Sequence, residues 1–299
     1  MLNKALYGLK QAPRAWNHRI NQFLEKIGFV RCVYEQGVYT KCWKDQDREE
    51  KIIVCLYVDD MLLTGSKPEA IAEFKSQMHS EFEMSDLGRL NYFLGIEFQF
   101  TKVGTIMHQM KYSRNLLNRF GMKDCNVAVT PTEMGLILER GTEEEDVDHT
   151  EFRRIIGSLR YLCNTRTDLS YGVGIVSRHM QSPKISHMNV VKRILRYMRG
   201  TCNLGIMFPC KKPGGEMKLV GFANADWCGD REDRKSTAGH IFYYGEGPLS
   251  WNSVKEPMVA FSSCEAEYIT VAQAACQAAW LRMPLKELNA IDPTTNTVC

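Results

Sequence analysis

At 299 residues the chain is long enough for two domains or more, and 44% hydrophobic with 10% aromatic content supports a substantial buried core. Thirty-eight Lys plus Arg against 35 Asp plus Glu leave a formal charge of only +3, which excludes bulk positive charge as the basis of nucleic-acid binding and makes any basic surface local. Eleven cysteines, an odd count spread from Cys32 to Cys299 without a Cys-x-x-Cys pair, argue against a zinc finger or a secreted disulfide framework and for reduced thiols in an intracellular chain.

No apolar run reaches the roughly 18 residues of a membrane span, and the opening MLNKALYGLK lacks a signal-peptide core, so a soluble, unexported protein is expected. Along the chain, Trp16, Ile20, Phe23, Leu24 and Ile27 share one helical stripe with Arg19 and Lys26 off it, which predicts a helix over 14–27. Pro13 suits its first turn and Gly28 its end. Residues 52–57 form a β-rich run that stops at Val58-Asp59-Asp60, and an apolar run resumes over 61–64, the pattern of a hairpin with two carboxylates near its tip.

A helix over 68–82 and a strand over 92–100 follow, with Gly88 and Gly104 as breaks. The acidic run 143–148 is a candidate linker or exposed loop. Residues 152–199 are mainly helical in pattern, with Val191, Ile194, Leu195 and Met198 opposing Lys192, Arg193, Arg196 and Arg199. Pro213-Gly214-Gly215 marks a second boundary, after which 217–227, 240–244 and 248–251 are expected as strands and 263–288 as a helix that Pro284 should kink or shorten.

Tyr57-Val58-Asp59-Asp60 carries the strongest chemistry. Adjacent carboxylates at the end of an apolar strand repel unless a cation sits between them, and Mg²⁺ takes one or two carboxylates together with substrate phosphates. A metal pair can then activate an attacking hydroxyl and stabilise the leaving oxygen of nucleotidyl transfer. Strand alternation places Tyr57 and Asp59 on one face and Asp60 on the other, which favours Asp59 as the first ligand. The plainer alternative is a turn with solvated aspartates.

Two companions give the tetrapeptide a context. The run Leu6-Tyr7-Gly8-Leu9-Lys10-Gln11-Ala12-Pro13-Arg14-Ala15-Trp16 resembles the signature upstream of the Tyr-Val-Asp-Asp hairpin in copia-type reverse transcriptases. Tyr92-Phe93-Leu94-Gly95-Ile96-Glu97 is similar to the segment that follows it. With three motifs in family order, the chain resembles a copia-type retrotransposon Pol polyprotein over essentially its whole length.

The resemblance implies an α+β right-hand polymerase palm and thumb lacking most of the fingers, then a connection, then an incomplete ribonuclease H-like α/β domain, divided at 1–142, 143–212 and 213–299. It implies Asp59 and Asp60 as catalytic, Mg²⁺-binding residues, Gln11 near the incoming nucleotide or template, Tyr57 against the primer end, and residues 92–97 at the primer grip. Lys10 and Arg14 either meet phosphate or are ordinary solvated charges, and the stripe from Lys192 to Arg199 either tracks a template–primer backbone or is a helix's wet face. Where the family commonly has Arg-Pro-Asp, this chain has Arg166-Thr167-Asp168. The implied partners are RNA template, DNA primer, RNA–DNA hybrid and dNTP, in the cytoplasm or in retrotransposon particles.

Gly221-Phe222-Ala223-Asn224-Ala225-Asp226-Trp227, the run 233–239 and Ser262-Ser263-Cys264-Glu265-Ala266-Glu267-Tyr268 resemble the opening of the family's ribonuclease H domain. Asn224 falls where the family has its first catalytic aspartate, Asp226 lies two residues on, and Glu267 falls on the next carboxylate. Glu265 completes a capping box with Ser262. The family's first palm aspartate and last nuclease aspartate have no counterpart here, so neither reaction is expected of this chain by itself. The alternative is a non-catalytic module that binds RNA–DNA hybrid.

Overall fold

The computed structural model describes residues 8–46, 48–139, 143–210 and 217–290. They form a mixed α/β structure of seven α-helices and three antiparallel sheets. Described residues up to Leu90 and from Leu281 onward make one compact unit, and those from Asn91 to Trp280 another.

The first unit is built on a four-stranded meander. Helix α1 (Ala12–Lys26) begins with Pro13 in its first turn, and Gly28 at φ +90° carries the chain out of it. The strands β1 (Val30–Arg31), β2 (Val38–Asp45), β3 (Arg48–Tyr57) and β4 (Asp60–Gly65) pair in sequence order, and α2 (Pro68–Glu81) follows. Ile52 and Val54 alternate onto one face of the sheet, where they meet Ile20 and Leu24 of α1 and Phe74 and Met78 of α2, all buried. Each such side chain stabilises the fold by about 1.5–3 kcal/mol on burial. The predicted helix over 14–27, the hairpin at 52–64 and the helix over 68–82 are present within a few residues.

The second unit opens with β5 (Tyr92–Phe93), β6 (Ile96–Phe100) and β7 (Gly104–His108). The single strand expected over 92–100 is therefore a tight hairpin. Leu94 and Gly95 both have positive φ, +49° and +82°, which folds the chain back with Phe93 opposite Ile96. A Cβ at Gly95 would lie 1.8 Å from the Tyr161 hydroxyl, so only glycine fits.

Helices α3 (Met110–Arg119), α4 (His149–Leu162), α5 (Ser170–Val176) and α6 (Ile185–Gly200) then enclose a core of Leu116, Phe152, Ile156, Leu159, Val191 and Ile194. Strand β8 (Gly205–Pro209) returns to pair with β7. Strands β9 (Leu219–Asp226), β10 (Thr237–Tyr244) and β11 (Gly247–Lys255) make the third sheet, with β10 central. The acidic run 143–148 is exposed but tied down. Asp146 bridges to Lys184, Glu144 accepts the Ser186 N–H at 2.8 Å, and Asp148 caps α4 through the Thr150 N–H at 2.8 Å. The expected boundary at 213–215 lies outside the described residues.

Helix α7 (Ser263–Glu287) runs three residues past Pro284, so the expected shortening does not occur. Proline removes one N–H bond, but the helix end is held from outside. Glu287 accepts the Val33 N–H at 2.8 Å and the Cys32 thiol at 2.7 Å, and the Lys51 ammonium donates to the Leu288 carbonyl at 2.9 Å.

A buried cation organises the helical core. Arg166, 2% exposed, donates to both oxygens of Asp168 at 2.9 and 2.7 Å and to the carbonyl and hydroxyl of Thr201 at 2.9 and 2.7 Å. It thereby ties the turn before α5 to the end of α6. Tyr197 donates to Asp168 at 2.9 Å. Burial works upward on the Asp168 carboxyl, yet the Arg166 and Tyr197 hydrogen bonds outweigh it and hold the pKa below the ordinary value. Asp168→Ala leaves Arg166 charged and buried without its counter-ion, and urea unfolding should show a loss of about 3 kcal/mol.

At the start of α6, His187 accepts the Lys184 N–H through Nδ1 at 2.9 Å and stands 3.0 Å through Nε2 from the Glu139 carbonyl, the pattern of a neutral ring with its proton on Nε2. Burial lowers its pKa. The unfolded chain then binds more protons than the folded one below about pH 6.5, so this stabilisation is complete above that pH and is lost as pH falls through the lowered folded value. The thermal midpoint should drop between about pH 8 and about pH 5, and His187→Gln should flatten that slope.

Candidate active site

The β3–β4 hairpin closes with Tyr57 opposite Asp60, which leaves Val58 and Asp59 as a two-residue loop. Val58 has φ +56° and Asp59 does not have positive φ, the sign pattern of a type II′ turn, whose first loop position favours glycine. A β-branched residue held there stores about 1–3 kcal/mol of strain. Tyr57 and Val58 are 56% and 59% exposed, and both aspartates are exposed.

This register corrects the alternation argument. Asp59 belongs to the loop and not to a strand, so strand parity does not assign it a face. Asp60 sits directly across from Tyr57, and cross-strand partners share a face. The face with the tyrosine therefore carries Asp60.

The loop is held from α1. The Trp16 indole N–H donates to the Val58 carbonyl at 2.6 Å. Trp16 in turn stands edge-on to Phe82 at 5.5 Å, and Phe82 meets Phe23 the same way at 5.2 Å. Gln11 is the N-cap of α1 and makes no side-chain cap bond; Lys10, Gln11 and Arg14 are all exposed. Among the described residues, no hydrogen bond or ion pair joins these three to Asp59 or Asp60; the hydrogen bond to the tip comes from Trp16. The sequence placed Trp16 on an apolar stripe and at the end of the Leu6–Trp16 run, without a role at the hairpin. The available signal was its N–H, which needs a partner when the ring is half-buried.

Residues 1–134 match the family of reverse transcriptases (RNA-dependent DNA polymerases). The chain is 39% identical to the Pol polyprotein of transposon RE1 of Arabidopsis thaliana over 96% of its own length and 19% of that protein. It is 35% identical to the Pol polyprotein of transposon TNT 1-94 of Nicotiana tabacum, over 96% of the chain and 22% of the relative. A putative transposon Ty5-1 protein of Saccharomyces cerevisiae is 30% identical over 90% of the chain and 86% of its own length. The chain belongs to the reverse transcriptase family of copia-type retrotransposon Pol polyproteins. It spans about a fifth of the length of the two plant polyproteins. Among the described residues, no helix is long and apolar enough to cross a membrane.

In this retrotransposon chain the residues singled out around Asn224, Asp226 and Glu267 are arranged differently from the hairpin tip. Asn224 pairs with Gly239, which pairs with Ser253, and on that face Gly174 of α5 packs close to Ser253. Gln277 of α7 donates to Ser250, which belongs to the other face with Phe242. Asn224 thus projects from the face opposite α7, into a cleft of about 420 Å³ shared with Tyr171, Phe222 and Trp251. Glu267 on α7 accepts the Ala225 N–H at 3.3 Å. Its carboxylate serves a backbone group of β9.

Asp226 is committed too. Its carboxylate accepts the Thr237 N–H across the β9–β10 connection, and a Cβ at Gly229 would strike it at 2.3 Å. Glu265 accepts from the Phe261 N–H at 2.6 Å while Ser262 accepts from the Glu265 N–H at 3.1 Å, a capping box displaced by one residue on its return side. Of the basic stripe, Arg193 bonds Glu133 and Thr130, Arg196 bonds the Asn126 carbonyl and Arg199 the Cys125 carbonyl. Three of its four cations clamp the segment 125–133. Asp226→Ala should leave the buried Thr237 N–H unpaired and destabilise the chain by about 1–3 kcal/mol in urea unfolding.

Proposed function

We propose that this chain is a relic or piece of an RNA-directed DNA polymerase with ribonuclease H, with residues 1–142 as palm and thumb, 143–212 as connection and 213–299 as a ribonuclease H-like domain. The observation that carries the reading is the exposed, strained Val58-Asp59 loop, with Asp60 next to it at the start of β4, latched to the helix that Gln11 precedes as N-cap. The compact division at Leu90 falls inside the proposed palm and thumb, so that segment contributes to both units.

Two neighbouring carboxylates suit Mg²⁺ when phosphate oxygens complete its shell. Asp59 and Asp60 would hold the ion, which supplies positive charge to a nucleotide's phosphates when bound. Tyr57, on the face with Asp60, would lie against the primer end. Gln11 would approach the nucleotide or template, and the exposed Lys10 and Arg14 would meet phosphate without reading sequence. The partners on this reading are an RNA template, a DNA primer and dNTP.

The chain by itself is proposed to be inactive. Among the described residues no three of His, Cys, Asp and Glu gather as a metal site. Asn224, an amide, stands where the family has its first nuclease carboxylate, and Glu267 and Asp226 are engaged with backbone N–H groups. The binding-only alternative draws less support, because arginines that would meet a hybrid backbone hold this chain's own loop. Purified protein with Mg²⁺, dNTP and a primed RNA template should extend no primer. Extension that Asp59→Asn abolishes would overturn the proposal of inactivity.

A further inference from the structure

The tip of the hairpin adopts a conformation that its own residue disfavours. Valine at φ +56° crowds its branched Cβ against the following carbonyl, and a chain left to itself would relax to another turn or open the last pair of the ladder. Something outside the hairpin must compensate. The Val58 carbonyl accepts a 2.6 Å bond from the Trp16 indole, 42 residues earlier in sequence. Tyr57, Val58, Asp59 and Asp60 are otherwise exposed.

Trp16 is itself held against Phe82, at the end of α2. Arg19, one turn further along α1, bonds Glu81 at 3.1 Å and lies over the Phe82 ring at 5.5 Å. The donor therefore stands on a braced ring, and its single N–H points at one acceptor.

The same arrangement recurs in the second unit. Leu94, the first loop residue of the β5–β6 hairpin, has φ +49°, and its carbonyl accepts a 2.6 Å bond from the Tyr161 hydroxyl, 67 residues later. Tyr161 is braced edge-on by Tyr112 at 4.8 Å. In both hairpins a non-glycine residue stands left-handed at the first loop position, and a distant aromatic donor takes its carbonyl.

We infer that Trp16 is a positioning residue: its indole N–H fixes the left-handed conformation of Val58 and so sets where the Asp59 and Asp60 carboxylates point. It touches neither carboxylate and acts through the turn. The inference deepens the proposed polymerase reading, on which those carboxylates face a metal ion. The turn geometry itself can be tested without any catalysis.

The test is amide hydrogen exchange on the full chain. Trp16→Phe keeps a ring against Phe82 and removes only the N–H. Loss of one hydrogen bond should speed exchange in the segment 57–61 by about 2- to 12-fold and leave the segment around Phe74 and Met78 unchanged. In the Val58→Gly background, where the left-handed turn is unstrained, the same substitution should change tip exchange less.

Equal acceleration across the first unit, or none at the tip, would overturn the inference. So would an undiminished effect in the Val58→Gly background. Wild-type protein gives an independent reading if the variant does not fold. With ¹⁵N-labelled tryptophan, the Trp16 indole N–H should be protected from exchange, and exchange at the rate of a free indole would overturn the latch. Failure of the polymerase reading would show in metal or nucleotide experiments and would leave these results standing.

Discussion

Two like charges side by side at the end of an apolar strand are the constraint around which the first unit is arranged. Asp59 and Asp60 cannot be buried without a counter-charge, so the hairpin must deliver them to solvent, and a two-residue loop does so at the least chain length. That loop asks for a left-handed first residue, and the chain supplies valine where glycine would be relaxed. The strain is met from elsewhere, by α1 through Trp16 and by α2 through Phe82. The strain beside the exposed carboxylate pair is thus held by contacts from two helices.

The second unit uses its charges inward. Arg166 is buried with a bidentate carboxylate and two further acceptors, so its desolvation is answered by hydrogen bonds as well as by charge. The arginines of α6 reach across to the carbonyls and side chains of 125–133 and fasten a segment that has no regular structure of its own. Asp226 and Glu267 satisfy backbone donors of the third sheet. Residues whose type suggests nucleic-acid or metal chemistry are, in this unit, largely occupied in holding the fold.

Much of the first unit was legible because its signals are local. Proline at a helix start, a glycine at φ +90° after it, and apolar residues alternating on β3 specify α1 and the hairpin without reference to the rest of the chain. What could not be seen was register. Placing Asp60 rather than Asp59 across from Tyr57 depends on which two residues form the loop, and a shift of one residue reverses every side chain. Leu94-Gly95 was not legible as a turn because leucine at positive φ is not a turn signal; its carbonyl is held by Tyr161, 67 residues away. The continuation of α7 past Pro284 likewise depends on long-range contacts, those of Glu287 and Lys51. The roles of Arg193, Arg196 and Arg199 could not be inferred from an amphipathic pattern, which gives a polar face but not what that face touches.

The central claim is that the Val58-Asp59 loop presents a carboxylate pair able to engage a divalent cation. Paramagnetic line broadening by substoichiometric Mn²⁺, followed on backbone amide signals of the full chain, addresses it directly. The account predicts broadening centred on Tyr57 to Met61 that Asp59→Asn combined with Asp60→Asn removes. Broadening centred elsewhere, or unchanged by that double substitution, would contradict it.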